Sequence, residues 1–237
     1  MPEGINPDMK KIESAENPGA DLNIEYSREH DVHIVRETLA ELAWLRQQGY
    51  KIHLPAKIEA LVAQGSPPTE EQITAAVSSE FRLEEYEAKS QAVMRDWTER
   101  KGDFLQKLAT LGLPLQSKYE LLLTKYGVGG SYHRPNRVDA NMHDPYTQDV
   151  LTTLFHEIIH LTIEDVIEEG HVDHWTKERL VDLIFGRFFP DKKELQQDPH
   201  HAKRIGELFD QFFPDIKQCI IEVAKLSKEN RAEPEAQ

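Results

Sequence analysis

Apolar residues recur at helical spacing along most of the chain, and only the middle breaks that rhythm. Between His30 and Gln48 the positions Val32, Ile34, Val35, Leu39, Leu42, Ala43 and Leu45 predict a helix that Gly49 ends. Pro55 marks the next turn, a short helix spans 56–63, and Gly65-Ser66-Pro67-Pro68 interrupts. Thr69 followed by Gln72 has the spacing of a capping box. Helical character then runs, with interruptions, to Leu111, and Phe81, Tyr86, Val93, Trp97, Phe104 and Leu108 form a discontinuous core-facing stripe.

The texture changes at Leu111-Gly112-Leu113-Pro114. Tyr119 to Tyr126 is short, apolar and followed by glycine, which predicts a strand. Gly127-Val128-Gly129-Gly130 reads as a turn or an open backbone stretch, and Ser131 to Met142 as a second short strand that Pro135 confines to a sheet edge. Asp144-Pro145 predicts a sharp helix start, a capping carboxylate followed by proline. Apolar residues from Val150 to Ile167 lie on most sides of that helix, so it should be buried until Gly170 stops it. A helix from Trp175 to Phe188 and two more, broken at Phe213-Pro214, complete the pattern. With no strand–helix–strand alternation, the expectation is an α+β chain, predominantly α-helical, with a small mixed sheet.

Four regions follow: a flexible arm (1–27), a helical N-terminal region (28–111), a region carrying the sheet and the buried helix (112–227), and a disordered tail (228–237). The net charge of -14, from 42 acidic and 28 basic side chains, argues against nucleic acid and anionic membranes as partners. No apolar run approaches the ~18 residues of a membrane-spanning helix. The start lacks a secretory signal, so the expected location is cytoplasmic. A single cysteine, Cys219, excludes an intrachain disulfide framework and a thiolate-rich metal site, and its apolar neighbours mark it as a buried small hydrophobe. Nothing in the sequence sets an oligomeric state.

The chemistry concentrates in His156-Glu157-Ile158-Ile159-His160. Residues four apart on a helix project from one face, so both imidazoles can reach one ion, and zinc accepts two neutral imidazoles readily. Glu157, about 100° around the helix from His156, can reach a metal-bound water without binding the metal, as a general base must. A third ligand would leave one position open for water. A turn at Gly170 would fold the following helix back so that Glu178 can approach the ion, with Glu164, Glu168, Glu169 and Asp173 competing for that role; Asp182, one turn further on, could orient a histidine through its unligated nitrogen. Glu164, two turns from His156 on nearly the same face, would support the site. Ile163 and Val166 stand where a metzincin has glycine and histidine, which excludes that subclass.

A helix with HExxH, then a second helix with a glutamate and, four residues on, an aspartate, resembles the gluzincin metallopeptidases, the thermolysin-like branch of the zincins. The matching residues are His156, Glu157, His160, Glu178 and Asp182, and the resemblance covers roughly 119–189. It implies a zincin-like fold holding one zinc ion on His156, His160 and Glu178, with Glu157 polarising the water. It also implies an edge strand above the metal that pairs with an extended peptide or protein substrate, a role falling to Gly129, Gly130 and Ser131. The chain departs from that branch in carrying Lys177 where an asparagine often precedes the glutamate ligand, and in lacking its large C-terminal domain. A tetrahedral oxyanion needs a further donor, for which Tyr132 and His174 rank ahead of His133 and His171. The expected activity is zinc-dependent hydrolysis of peptide or amide bonds. Two alternatives are a catalytically inactive zincin-derived binding module with a structural or vestigial metal, and a metal-free helical interaction protein.

Overall fold

Burial alternates along Lys118–Thr124 (β2), which puts Tyr119, Leu121 and Leu123 on one buried face. In the computed structural model, which describes residues 20–143, 149–191 and 202–232, β2 lies inside a four-stranded mixed sheet. Asp21–Glu25 (β1) runs parallel to it on one side and Arg137–Asn141 (β4) parallel on the other. Gly130–His133 (β3) pairs antiparallel with β4 at the far edge, Ser131 opposite Asp139 and Tyr132 opposite Val138.

Two expectations change here. Asp21–Glu25, assigned above to a flexible arm, supplies a strand whose half-buried Leu22 and Ile24 pack against the main core. The single strand expected over 131–142 is instead a hairpin, β3 and β4, with Pro135 in the turn between them. There its missing N–H costs no ladder bond.

The first expected helix is two, Arg28–Ala40 (α1) and Leu42–Gln47 (α2), separated at Glu41. Ala56–Ala63 (α3) starts at Pro55, and Glu70–Glu80 (α4) starts at a reciprocal box in which Gln72 N donates to Thr69 Oγ1 at 3.3 Å and Thr69 N to Gln72 Oε1 at 2.8 Å. Leu83–Ala109 (α5), Val150–Gly170 (α6), His174–Phe188 (α7), Ala202–Phe212 (α8) and Ile216–Ala232 (α9) follow. The expected start at Asp144-Pro145 lies outside the described residues. Asp149 caps α6, accepting from Leu151 N at 3.1 Å and Thr152 Oγ1 at 2.6 Å. The last helix extends to Ala232, so the tail expected from 228 is helical at its beginning. The chain is thus α+β and mostly helical, and among the described residues no helix is long and apolar enough to cross a membrane.

The expected boundary at 111–112 runs through one continuous core. Trp97 and Phe104 on α5 meet Tyr119 on β2 and Phe155 on α6, with ring centroids 6.2 Å (Trp97–Tyr119) and 4.1 Å (Phe104–Phe155) apart. Each such side chain contributes about 1.5–3 kcal/mol by leaving water. A smaller core forms from Val32, Val35, Ile58, Ile73, Ala76 and Val77, with Tyr126 at its edge. Buried Asp31 ties the two together, accepting from the Tyr86 hydroxyl and from Lys125 N. Cys219 is buried and unpaired.

Candidate metal centre

The first eleven residues of α6, from Val150 to His160, are all buried, so two imidazoles and a carboxylate sit where water cannot compensate them. The helix ends at His171, whose left-handed backbone (φ 56) lets His171 N donate to Glu168 O and Val172 N to Ile167 O. Asp173 then caps α7 by accepting from Thr176 N at 3.1 Å and Thr176 Oγ1 at 2.8 Å. The chain reverses between these caps, and α7 lies back along α6.

That reversal brings Glu178 to the two histidines. His156 Nε2 and His160 Nε2 are 3.3 Å apart, and Glu178 Oε2 lies 3.3 Å from His160 Nε2 and 3.9 Å from His156 Nε2. Bonds of 2.0–2.1 Å at a tetrahedral angle put neighbouring ligand atoms about 3.3 Å apart, so the three atoms have the spacing of one zinc-sized cation. Burial opposes charge on Glu178 and on His156. Even so, the hydrogen bonds and charges of His156 and His160 hold the Glu178 carboxyl well below the usual carboxylate range. For His156, burial is outweighed by Glu178, Glu157 and Asp182, and its imidazole is raised.

His156 Nδ1 lies 3.8 Å from Asp182 Oδ1, within ion-pair reach but longer than the hydrogen bond expected between them. His160 is held by its ring plane: Tyr132 on β3 stacks on it, centroids 4.8 Å apart and planes within 9°. Its own Nδ1 is buried with no hydrogen bond among the described residues.

Glu157 is buried beside this cluster, and burial pushes its carboxyl up against the lowering pull of His160 and His156. The edge strand reaches it through Gly130, where a methyl group in place of hydrogen would meet Glu157 Oε1 at 2.8 Å and Thr153 Cγ2 at 2.5 Å. Gly130 therefore has a packing reason to be glycine, one that its sequence context, a possible hairpin turn, did not reveal. Ser131 pairs opposite Asp139 and lines a groove of about 330 Å³ between β3 and the α1–α2 helices. Gly129 accepts from Asn141 N at the mouth of the hairpin.

The two favoured oxyanion donors are both engaged by the protein. Tyr132 donates its hydroxyl to Glu164 Oε2 at 2.7 Å and receives a hydrogen bond from Lys177 Nζ at 2.5 Å; burial and then Glu164 push its phenol far up. Glu164 thus supports the site indirectly, by fixing the tyrosine that stacks on His160. His174, about 39% exposed, faces Glu178 Oε1 through Nδ1 at 3.8 Å and the Tyr50 hydroxyl through Nε2 at 3.3 Å; burial draws its imidazole down. Of the lower-ranked pair, His133 bonds Asp139 at 3.0 Å and His171 terminates α6.

No family model, curated protein or solved structure matches the chain.

Three contributors were not anticipated: Lys177, which clamps Tyr132, and Trp44 and Tyr50, which approach His174 from the N-terminal region. Only the pair of aromatics flanking Gly49 hints at the last two in the sequence.

Proposed function

We propose that this chain is a zinc-dependent hydrolase of peptide or amide bonds, of zincin-like design, with His156, His160 and Glu178 as ligands and Glu157 as general base. The observation that carries the reading is the convergence of two imidazole nitrogens and one carboxylate oxygen at 3.3–3.9 Å, from two helices, inside an otherwise apolar segment. Two neutral Nε2 lone pairs facing each other at that distance repel unless a proton or cation lies between them. Three protein ligands leave one coordination position open. A zinc ion bound there lowers the pKa of its water and polarises a carbonyl.

The chain's own residues supply the remainder. Glu157, one residue along from His156 and packed under Gly130, takes the proton of the attacking water and returns it to the departing nitrogen. Asp182 faces the unligated nitrogen of His156 with its negative charge, and the Tyr132 stack, held by Glu164 and Lys177, keeps the His160 ring in place. An extended peptide pairs with the outer edge of β3, which carries no further strand among the described residues. That alignment lays the scissile bond beside Glu157, because Gly130 already touches it.

Elemental analysis and turnover assays test this together. Wild-type protein should bind one zinc per chain, His160→Ala should lose it, and Glu157→Gln should keep the metal while losing hydrolysis. Equal metal content in wild type and His160→Ala defeats the assignment. The engagement of both Tyr132 and His174 by protein partners favours a second reading, a metal-holding binding module, for which one zinc per chain without turnover of any peptide or amide is the signature.

A further inference from the structure

The edge strand β3 has two faces, and the candidate metal centre uses one of them. Side chains alternate along a strand. Tyr132 meets His160 on the α6 side, while Ser131 and its partner Asp139 line the groove of about 330 Å³ on the side of α1 and α2. The hydrogen-bond register fixes what the free edge offers. Asn141 N donates to Gly129 O at 2.9 Å, so Gly129–Asn141 and, two residues on, Ser131–Asp139 are the hydrogen-bonded pairs of the hairpin. The N–H and C=O of Gly130 and Tyr132 therefore point away from β4, toward the edge that carries no further strand among the described residues. A peptide paired antiparallel there bonds to those two residues. Directly opposed residues share a face, so its residues opposite Gly130 and Tyr132 turn toward α6. The residue between them, opposite Ser131, turns into the groove.

What that side chain meets is set by the end of α1. Glu37 in its last turn and Glu41 at its cap are four residues apart, and both line the groove. Carboxylates at a helix C-terminus face its negative end, and the last turn of α1 carries no basic residue to offset them. Asp139 is already matched by Arg137 and His133. Glu37 has His33 Nε2 at 3.1 Å, a partner that is charged only when protonated, and Glu41 has no ion pair among the described residues. Ile34, Ala40 and Leu45 give the same groove apolar surface. It therefore suits a long aliphatic stem with a cationic head better than a wholly apolar or an acidic side chain. We propose that Glu37 and Glu41 select peptides carrying lysine or arginine at the position opposite Ser131, one residue along from a side chain that faces the metal ligands. This rests on the strand pairing proposed above and adds the class of substrate it takes.

The test uses zinc-loaded full-length Glu157→Gln protein and N-acetylated, C-amidated alanine pentapeptides whose central residue is lysine or norleucine. Norleucine keeps the stem and removes the charge. Lysine should bind about fivefold tighter, the worth of two partly exposed ion pairs, and the gain should fade at high salt. Adding Glu37→Gln with Glu41→Gln should bring the two peptides within about twofold of each other, with zinc content and circular dichroism unchanged. Glu87→Gln with Glu99→Gln, both exposed on α5, removes the same net charge elsewhere and should leave the preference intact. A preference that survives the first pair of substitutions or falls equally with the second overturns the proposal, as does equal binding of both peptides before either pair is added. The two readings fail separately. Wild-type protein that binds zinc and turns over no peptide, with the preference through Glu37 and Glu41 intact, removes the hydrolase and upholds the groove; turnover without that preference does the reverse.

Discussion

Gly130→Ala isolates the contact between the edge strand and Glu157, the proposed general base. The backbone at Gly130 is open to any residue, so the added methyl acts by volume alone. It would lie 2.5 Å from Thr153 Cγ2 and 2.8 and 3.2 Å from Glu157 Oε1 and Cγ. Thr153 is buried and β-branched, so it has little rotamer freedom with which to yield, and Glu157 is enclosed too. Either β3 lifts from α6 or Glu157 moves. Overpacking of this kind costs about 1–3 kcal/mol, or roughly 2–10 °C of Tm in a chain this size. A shift of the base by about 1 Å costs on the order of 100-fold in turnover. Urea denaturation reads the first effect, kcat in a peptidase assay the second, and zinc content should not change. Gly102→Ala, in the middle of α5 with nothing within 4 Å of the new methyl, is the control and should stabilise by about 0.5–1 kcal/mol. If Gly130→Ala is as stable as wild type, the packing argument is wrong; if it is destabilised but turns over peptide normally, the link from β3 to Glu157 is.

Asp139, buried on β4, accepts from His133 Nε2 at 3.0 Å and from Arg137 Nε and Nη2, both at 3.1 Å. Burial alone would raise its carboxyl, but His133, His30 and Arg137 hold it below its ordinary value of 3.8. A depressed folded pKa gives stability that is present above the unfolded value and lost as pH falls through the folded one. Asp139→Asn should therefore cost about 1–3 kcal/mol in urea titrations at pH 5–7, a deficit that shrinks below pH 3.8; a deficit that stays constant into acid contradicts this. Asp31 works in the opposite sense: burial raises its folded carboxyl, the Tyr86 hydrogen bond lowers it, and the raised value means stability falls as pH rises through it. Tyr86→Phe should move that fall to higher pH and cost about 1–3 kcal/mol at neutral pH by leaving the buried carboxylate short of a donor; denaturation midpoints of the variant that track wild type across pH contradict this.

Elements marked by local chemistry were legible in the sequence. The Thr69–Gln72 box, the stop at Gly170 and the strand beginning near Tyr119 each carry their signal within a few residues, and each forms where expected. The pairing of His156, His160 and Glu178 was legible because two helices with one short reversal between them leave few alternatives. Features that depend on distant partners were not. Residues 21–25 hold only two apolar side chains and become a strand because β2 lies beside them. Likewise, Pro135 signals a sheet edge within a single strand over 131–142 when only its neighbours in sequence are considered, whereas it lies in the turn that divides β3 from β4. Trp44 and Tyr50 look like ordinary helix-end aromatics until α7 places His174 against them.

The pairing of β1 with β2 also constrains how the chain is made. During synthesis β1 emerges first, and its hydrogen-bonding partner follows only after α1 to α5 have left the ribosome. Closing so long an interval costs loop entropy, a cost that helices formed in between reduce by shortening the span. Beginning the chain at residue 112 would remove both the outer strand and the α5 rings that support Phe155, one residue before His156. The half that carries the candidate metal centre therefore inherits its shape from the half that is translated before it.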